Sequence, residues 1–340
     1  MEEHRVAVDA MGGDNAPRAV IEGSVAAARE LGIPVTLVGN ESVVRKELAR
    51  LGVPPASLRV VHAAAAIAMD EHATAGVRHR RDTSLAIGIN LVKDGEASAF
   101  VSAGNSGATM ALATLLLGRQ PGVERPALGT VVPGETGRFL LLDVGANADA
   151  RPSYLVQFAE LGSAYAEQVL RVRAPRVGLL NIGEEPGKGS DFARDVHERL
   201  AACAGINFVG NVEGKDLARG LADVVVTDGF TGNVTLKTAE GVAEFIARQL
   251  RSTLTSKLRY RLAALALRPA LLELRRRIDY AEYGGAPLLG LNGTVLIGHG
   301  RSNARAIRSA IRAAHEAAPL AAQRVIAQAS SRAAGKGDAS

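Results

Sequence analysis

Along most of this chain, short apolar runs alternate with amphipathic stretches, and the runs end in loops rich in Gly, Asn and Asp. No other feature constrains the fold as strongly. Apolar runs that repeatedly hand over to helix-period segments specify a largely parallel sheet covered by helices. Strands are predicted over residues 5–10, 34–39, 58–63 and 98–104, and helices over 17–31, 41–51, 83–94 and 107–117. An irregular segment crosses 64–82. The runs 128–133 and 137–145 are joined by a short Gly-Glu-Thr-Gly link, which predicts an antiparallel hairpin and so a mixed sheet. The alternation then resumes, with helix 153–171, strand 176–182, helix 189–203, strands 206–212 and 223–227, helix 232–252, strand 293–298 and helix 302–328. No shift in composition marks a linker. The expectation is one α/β catalytic unit over 1–330, with two lobes around a cleft as a variant, and a disordered tail over 331–340.

The 340 residues are 47% hydrophobic and 22% charged, enough for a well-buried core in an ordinary globular protein. A net charge of +5 suits an anionic substrate, an acidic partner or an anionic membrane surface. With 4% aromatic residues, stacking platforms for single-stranded nucleic acid are scarce, so nucleic-acid binding is not expected. The single cysteine, Cys203, rules out an internal disulfide and favours a reducing compartment. It reads as a small apolar residue near a helix end rather than a nucleophile. The chain opens straight into a strand without an apolar leader, and no apolar run approaches about 18 residues, so no membrane span is expected.

Residues 256–280 depart from the alternation. Leu254, Leu258, Leu262 and Leu265 form one helical stripe, and Leu267, Leu271, Leu274 and Ile278 repeat it beyond Pro269. This predicts a protruding amphipathic hairpin within 250–282. Its tip carries Leu265, Leu267, Leu271 and Leu272, flanked by Arg259, Arg261, Arg275, Arg276 and Arg277. Two readings stay open, a hairpin packed on the core or a dimer partner, and a tip resting on an anionic bilayer.

The candidate chemistry lies in the loops at the strand ends, where open α/β sheets bind ligands. They carry Asp9, Gly12, Gly13, Asp14 and Asn15; Asn105 and Ser106; Asp143, Asn147 and Asp149; Asn181, Gly187 and Lys188; Asp228, Thr231 and Asn233; and His299, Arg301 and Ser302. Glycines let backbone N–H groups approach an anion, and helix N-termini add positive dipole, so the set suits phosphate. The loop "NIGEEPGKGS" nearly spells a nucleotide-binding loop, but Gly189 stands where a Mg²⁺-holding hydroxyl belongs. Asp9, Asp143 and Asp228 read as loop anchors rather than metal ligands. No dinucleotide fingerprint follows the first strand, no nucleophile elbow appears, and the histidines show no metal spacing. No cofactor is therefore expected. A substrate that brings its own nucleophile fits, and inorganic phosphate would do so.

Six blocks, "VDAMGGDNAP", "SAGNSGA", "LDVGANAD", "NIGEEPGKG", "VVVTDGFTGNVTLKTAEG" and "YGGAPLLGLNG" with "IGHGRS", resemble the phosphate acyltransferases of bacterial phospholipid synthesis. They stand in family order across nearly the whole chain. The resemblance implies acyl-phosphate formation from acyl-[acyl-carrier-protein] and inorganic phosphate, on an isocitrate/isopropylmalate-dehydrogenase-like fold. It further implies a homodimer at the inner face of the cytoplasmic membrane, held there by the hairpin. Lys188 and Arg301 would supply charge, Asn105, Asn181 and Asn233 would orient substrate, and Asp228 and His299 would serve as acid or base. Asp9, Gly12, Gly13, Asp14, Ser106, Asn147, Gly187 and Ser302 would complete the phosphate and substrate site. Arg78, Arg80 and Arg81 would dock the acidic carrier, although "VRHRRDTSL" places His79 where the family is basic. The alternatives are a phosphate acetyl- or butyryltransferase-like enzyme using acyl-CoA, a dehydrogenase on the same fold, and a non-catalytic membrane scaffold.

Overall fold

The computed structural model describes residues 4–54, 58–71, 80–278 and 284–321, with backbone alone at 275–278 and 320–321. The expectations for Arg78, for the last residues of the hairpin and for the tail 331–340 fall outside this set.

The described strands form one sheet. They are β1 (Val6–Asp9), β2 (Val35–Gly39), β3 (Arg59–His62), β4 (Ala99–Ser102), β5 (Ala127–Gly134), β6 (Gly137–Leu142), β7 (Arg176–Asn181), β8 (Asn207–Glu213), β9 (Val224–Val226), β10 (Ala286–Leu289) and β11 (Thr294–Ile297). Their order is β3-β2-β1-β4-β11-β10-β5-β6-β9-β7-β8. The helices are α1 (Arg18–Leu31), α2 (Glu41–Arg50), α3 (Ser84–Lys93), α4 (Ser106–Leu117), α5 (Pro152–Gln168), α6 (Asp191–Ala202), α7 (Gly229–Ser256), α8 (Leu258–Ala266), α9 (Arg268–Ile278) and α10 (Ala304–Ala321).

The sheet is two parallel halves running in opposite directions. β1, β2, β3, β4 and β11 are mutually parallel, and so are β6, β7, β8 and β9. Between them, β10 is antiparallel to both β11 and β5, and β5 is antiparallel to β6. Loops that follow β4 and β11 in one half, and β6 and β9 in the other, nevertheless reach a common space at the middle of the sheet. The join is narrow, because β10 meets β5 only at Leu288–Leu128 and Leu289–Ala127. Beyond those pairs the strands diverge and open a cleft.

Sequence and structure agree on the hairpin, whose register closes at Gly134–Gly137. They differ at β10, which lies within "GGAPLLG" and has the glycine and proline flanks of a loop. One edge of β10 forms a hairpin with the neighbouring β11 and the other pairs with the distant β5, while Pro287 and the flanking glycines mask its strand signal. The central strands are buried on both faces; Val6, Ala7 and Val8 are at most 1% exposed. That explains their continuous apolar character.

Many Asn, Asp and Ser residues at strand ends are helix caps. Asn40, Asn105, Ser190 and Asp228 accept backbone N–H bonds at the starts of α2, α4, α6 and α7. Each satisfies a donor that the first helical turn leaves open. The Asp228 cap also starts α7 at Gly229, earlier than the apolar periodicity alone placed it.

Candidate active site

The cleft between the half-sheets holds about 230 Å³. Ser106, Val144, Gly145, Asn233, His299 and Ser302 line it, so four of the six glycine-rich loops converge there. Met110, Leu128, Val131, Leu236, Ile297 and Ala310 make an apolar wall. Lys237 and Glu240, from the first turns of α7, supply charge beside them. Among the described residues, Lys237 is the one lysine or arginine in the lining. Ser106 opens α4, and Ser302 lies just before α10. Helix N-termini thus face the space from the first half of the sheet and favour an anion.

Buried anchors hold the loops in place. Asp143 is fully buried and accepts from the backbone N–H groups of Leu128, Gly145, Ala146 and Asn147, and from Asn147 Nδ2. Asn147 Nδ2 also donates to Pro126 O at 2.8 Å. Asp9 accepts from Ser102 Oγ at 2.8 Å and from Met11 N at 3.1 Å. Burial pushes the Asp9 carboxyl above its usual value, against the hydrogen bonds from Ser84, Ser102 and the following backbone. Gly12 packs so tightly here that a Cβ would lie 2.4 Å from Asp9 Oδ2. Gly13 has φ +106°, a conformation that favours glycine. The anchoring role expected of Asp9, Asp143 and Asp228 is what these bonds describe, with Asp228 accepting from Thr231 N at 2.8 Å.

The first and last loops are stitched together. Asp14 N donates to Gly300 O at 2.8 Å, and Asn15 Nδ2 donates to the carbonyls of Arg301 and Ser302, both at 3.2 Å. His299 is half-buried at this junction. Its Nδ1 accepts from Arg301 N at 3.1 Å, which places the proton of the neutral ring on Nε2. Burial first, then the Lys237 charge, lowers the His299 pKa below 6.5, with Glu240 opposing. A neutral ring with an Nε2–H suits donation to a developing oxyanion.

Other expected site residues are spent differently. Asn105 Oδ1 accepts from Ala108 N, and its Nδ2 donates to Met69 O and Glu71 O, tying α4 to the segment before residue 72. Asn181 bonds within its own loop, accepting from Ile182 N and donating to Lys188 O. Asn181, Gly187 and Lys188 follow β7, four places from β10 in the sheet, and do not line the cleft. The Lys188 side chain is in an exposed loop. Arg301 pairs with Glu244 of α7 at 3.5 Å on the rim. Arg80 pairs with Glu71 and donates to Ala66 O at 3.1 Å, and Arg81 is exposed. Glu71 is held below its usual pKa by Arg80. Sequence reasoning missed Lys237 and Glu240. The signal was a helical stripe Asn233, Lys237, Glu240, Glu244 at the spacing of one helix face.

Solved structures share this architecture. A phosphotransacetylase from Streptococcus pyogenes superposes with TM-score 0.65 at 17% identity, covering 94% of this chain and 95% of that one. A 4-hydroxythreonine-4-phosphate dehydrogenase from Klebsiella pneumoniae gives 0.55 at 15% identity, covering 93% and 98%. The fold class is thus the two-half α/β architecture found in phosphotransacetylases and in dehydrogenases of this type. Sequence comparison narrows it. The family described as "Fatty acid synthesis protein" matches residues 4–324. The protein "Phosphate acyltransferase" of Thermus thermophilus is 54% identical over 307 residues, 90% of this chain and 92% of that protein. Its namesake from Geobacter sulfurreducens is 48% identical over 312 residues, covering 92% and 90%. The chain belongs to the phosphate acyltransferase family.

Proposed function

We propose that this acyltransferase moves an acyl group from a carrier-protein thioester to inorganic phosphate within the cleft, supplying acyl-phosphate for phospholipid synthesis. The observation that carries this reading is the lining itself, where an apolar wall adjoins Ser106, Ser302, His299, Lys237 and two helix N-termini. The apolar wall suits acyl methylenes, and the polar side suits an oxyanion and a phosphate.

The chemistry needs no protein nucleophile. An oxygen of hydrogen phosphate attacks the thioester carbon, the C–S bond breaks, and the phosphate proton ends on the departing thiol. Alignment of phosphate and carbonyl within about 3 Å provides much of the acceleration. The His299 Nε2–H would stabilise the tetrahedral oxyanion. A thiol with a pKa of about 8.5 leaves without a strong general acid. Lys188 and Arg301 stand outside the lining; unchanged turnover in Lys188→Ala and in Arg301→Ala would remove each from the mechanism.

The deciding experiment incubates the protein with acyl-carrier thioester and phosphate, and measures acyl-phosphate and free thiol in equal amounts. Absence of both overturns the reading. A parallel arm with acyl-CoA tests the second reading, which the phosphotransacetylase-like fold favours. The membrane and dimer roles are part of the same proposal. In α7, Val242, Phe245 and Ile246 are more than half exposed, and so are Leu258, Leu262, Leu265 and Leu267 beyond it. Leu272 is 44% exposed, and Leu271 is half-buried. No helix among the described residues is long and apolar enough to cross a membrane. These faces would pair with a second copy and rest on lipid. Arg80, Arg81 and the hairpin arginines are the proposed contact with an acidic carrier.

A further inference from the structure

We propose that Lys237 and Glu240 form a selectivity element that binds the attacking phosphate and rejects sulfate. This rests on the phosphate-acyltransferase reading and names the residues that choose the nucleophile.

Lys237 Nζ donates to Glu240 Oε2 at 2.8 Å, and both residues line the cleft. The Glu240 side chain is 21% exposed, against 55% for Lys237. The helix presenting them is fixed in place. Asn233 Nδ2, one turn earlier, donates to Val144 O at 3.1 Å, and Gly229 N donates to Asn147 O at 2.8 Å. Across the space lie Ser106 at the start of α4 and Ser302 before α10.

Lys237 and the helix N-termini favour any small anion. A carboxylate in the same lining opposes anions, unless the anion brings a proton. An ionised Glu is an acceptor only. Hydrogen phosphate keeps a P–OH near neutral pH and can donate it to Glu240 while its other oxygens take Lys237 and the serines. Sulfate has no proton there, so its lone pairs would face those of Glu240. Selectivity then comes from a repulsive element aimed at the wrong ligand, with an attractive one for the right ligand. The Lys237–Glu240 pair preorganises both groups before phosphate arrives. An exposed i,i+3 pair of this type contributes little to folding, about 0–1 kcal/mol. A function in binding therefore separates cleanly from one in stability.

The test uses the full-length protein, with inorganic phosphate and sulfate titrated by calorimetry and sulfate used as competitor in the acyl-phosphate assay. In the wild type, sulfate should bind at least about tenfold more weakly than phosphate, one decade being about 1.4 kcal/mol. In Glu240→Gln, which replaces half the carboxylate with a donor, that discrimination should fall to about threefold or less. In Lys237→Ala, the KM for phosphate should rise about tenfold or more, with the KM for the acyl carrier little changed. Equal binding of the two anions by the wild type overturns the proposal, as does unchanged discrimination in a folded Glu240→Gln protein. If that variant does not fold, Glu240→Ala and Lys237→Gln, checked for a normal thermal transition, take its place. If the wild type forms no acyl-phosphate while calorimetry still shows Glu240-dependent selectivity, the reaction assignment falls and the anion site stands.

Discussion

The two ends of helix α7 share one backbone and differ in nearly everything else. Its first three turns are fastened to the sheet. Asp228 caps them, Asn233 bonds to Val144, and Gly232 lies so close to the Asp143 carbonyl that a Cβ would stand 1.9 Å from it. From Val242 onward, apolar residues face outward, with Phe245 and Ile246 54% and 58% exposed. One end completes a cleft between oppositely running half-sheets, and the other begins an arm that continues into α8 and α9. Continuous helix, then, does not mean uniform role. Side-chain surroundings set by distant strands decide which turns are site and which are surface.

The largest test of that contrast is Asp143→Ala. Removing one carboxylate leaves four backbone N–H groups of the β5 and β6 ends without their acceptor, and a loss of about 4 kcal/mol is expected by urea unfolding. A loss under about 1 kcal/mol would mean that the cleft loops do not depend on this anchor. Gly232→Ala comes next, at about 3 kcal/mol, because the new methyl meets backbone rather than a flexible side chain.

His299 gives a smaller but signed effect. Its pKa lies below 6.5, so the fold favours the neutral ring. That contribution is complete above pH 6.5 and is lost as pH falls from there through the lower folded value, because the unfolded chain then binds more protons. NMR titration of the ring should show a midpoint under 6.5, and a midpoint above it would contradict the half-buried placement beside Lys237. The smallest effect belongs to the arm. Phe245→Ser and Leu265→Ser should each change unfolding free energy by less than about 0.5 kcal/mol when the chain is monomeric. The same substitutions should weaken self-association or liposome binding. If they instead destabilise the isolated chain strongly, the arm is packed in a way its exposure does not show.

Much of the scaffold was legible in the sequence because its signals are local. Buried strands such as Val6–Asp9 are continuous apolar runs, and Asn105, Ser190 and Asp228 announce the helices that they cap. β10 was not legible, since Pro287 and the flanking glycines read as a loop and its partner Leu128 in β5 is set by tertiary pairing. The site was only partly legible for the same reason. Gly and Asn at strand ends located Ser106, Asn233, His299 and Ser302, while Lys237 and Glu240 look locally like any solvated helical pair. Lys188 carries the stronger local pattern, glycine beside lysine in a strand-end loop, yet local pattern says nothing about lateral position in a sheet.

The sequence by itself determined the alternation, the caps, the amphipathic arm and the glycine loops suited to an anion, because each depends on neighbours a few residues apart. Only the tertiary structure decided that the half-sheets run in opposite directions and that loops from both line one cleft. Two backbone pairs between β10 and β5 make that join. They connect residues some 160 positions apart (Leu128 and Leu288), and such pairing depends on packing across the whole sheet rather than on any local propensity.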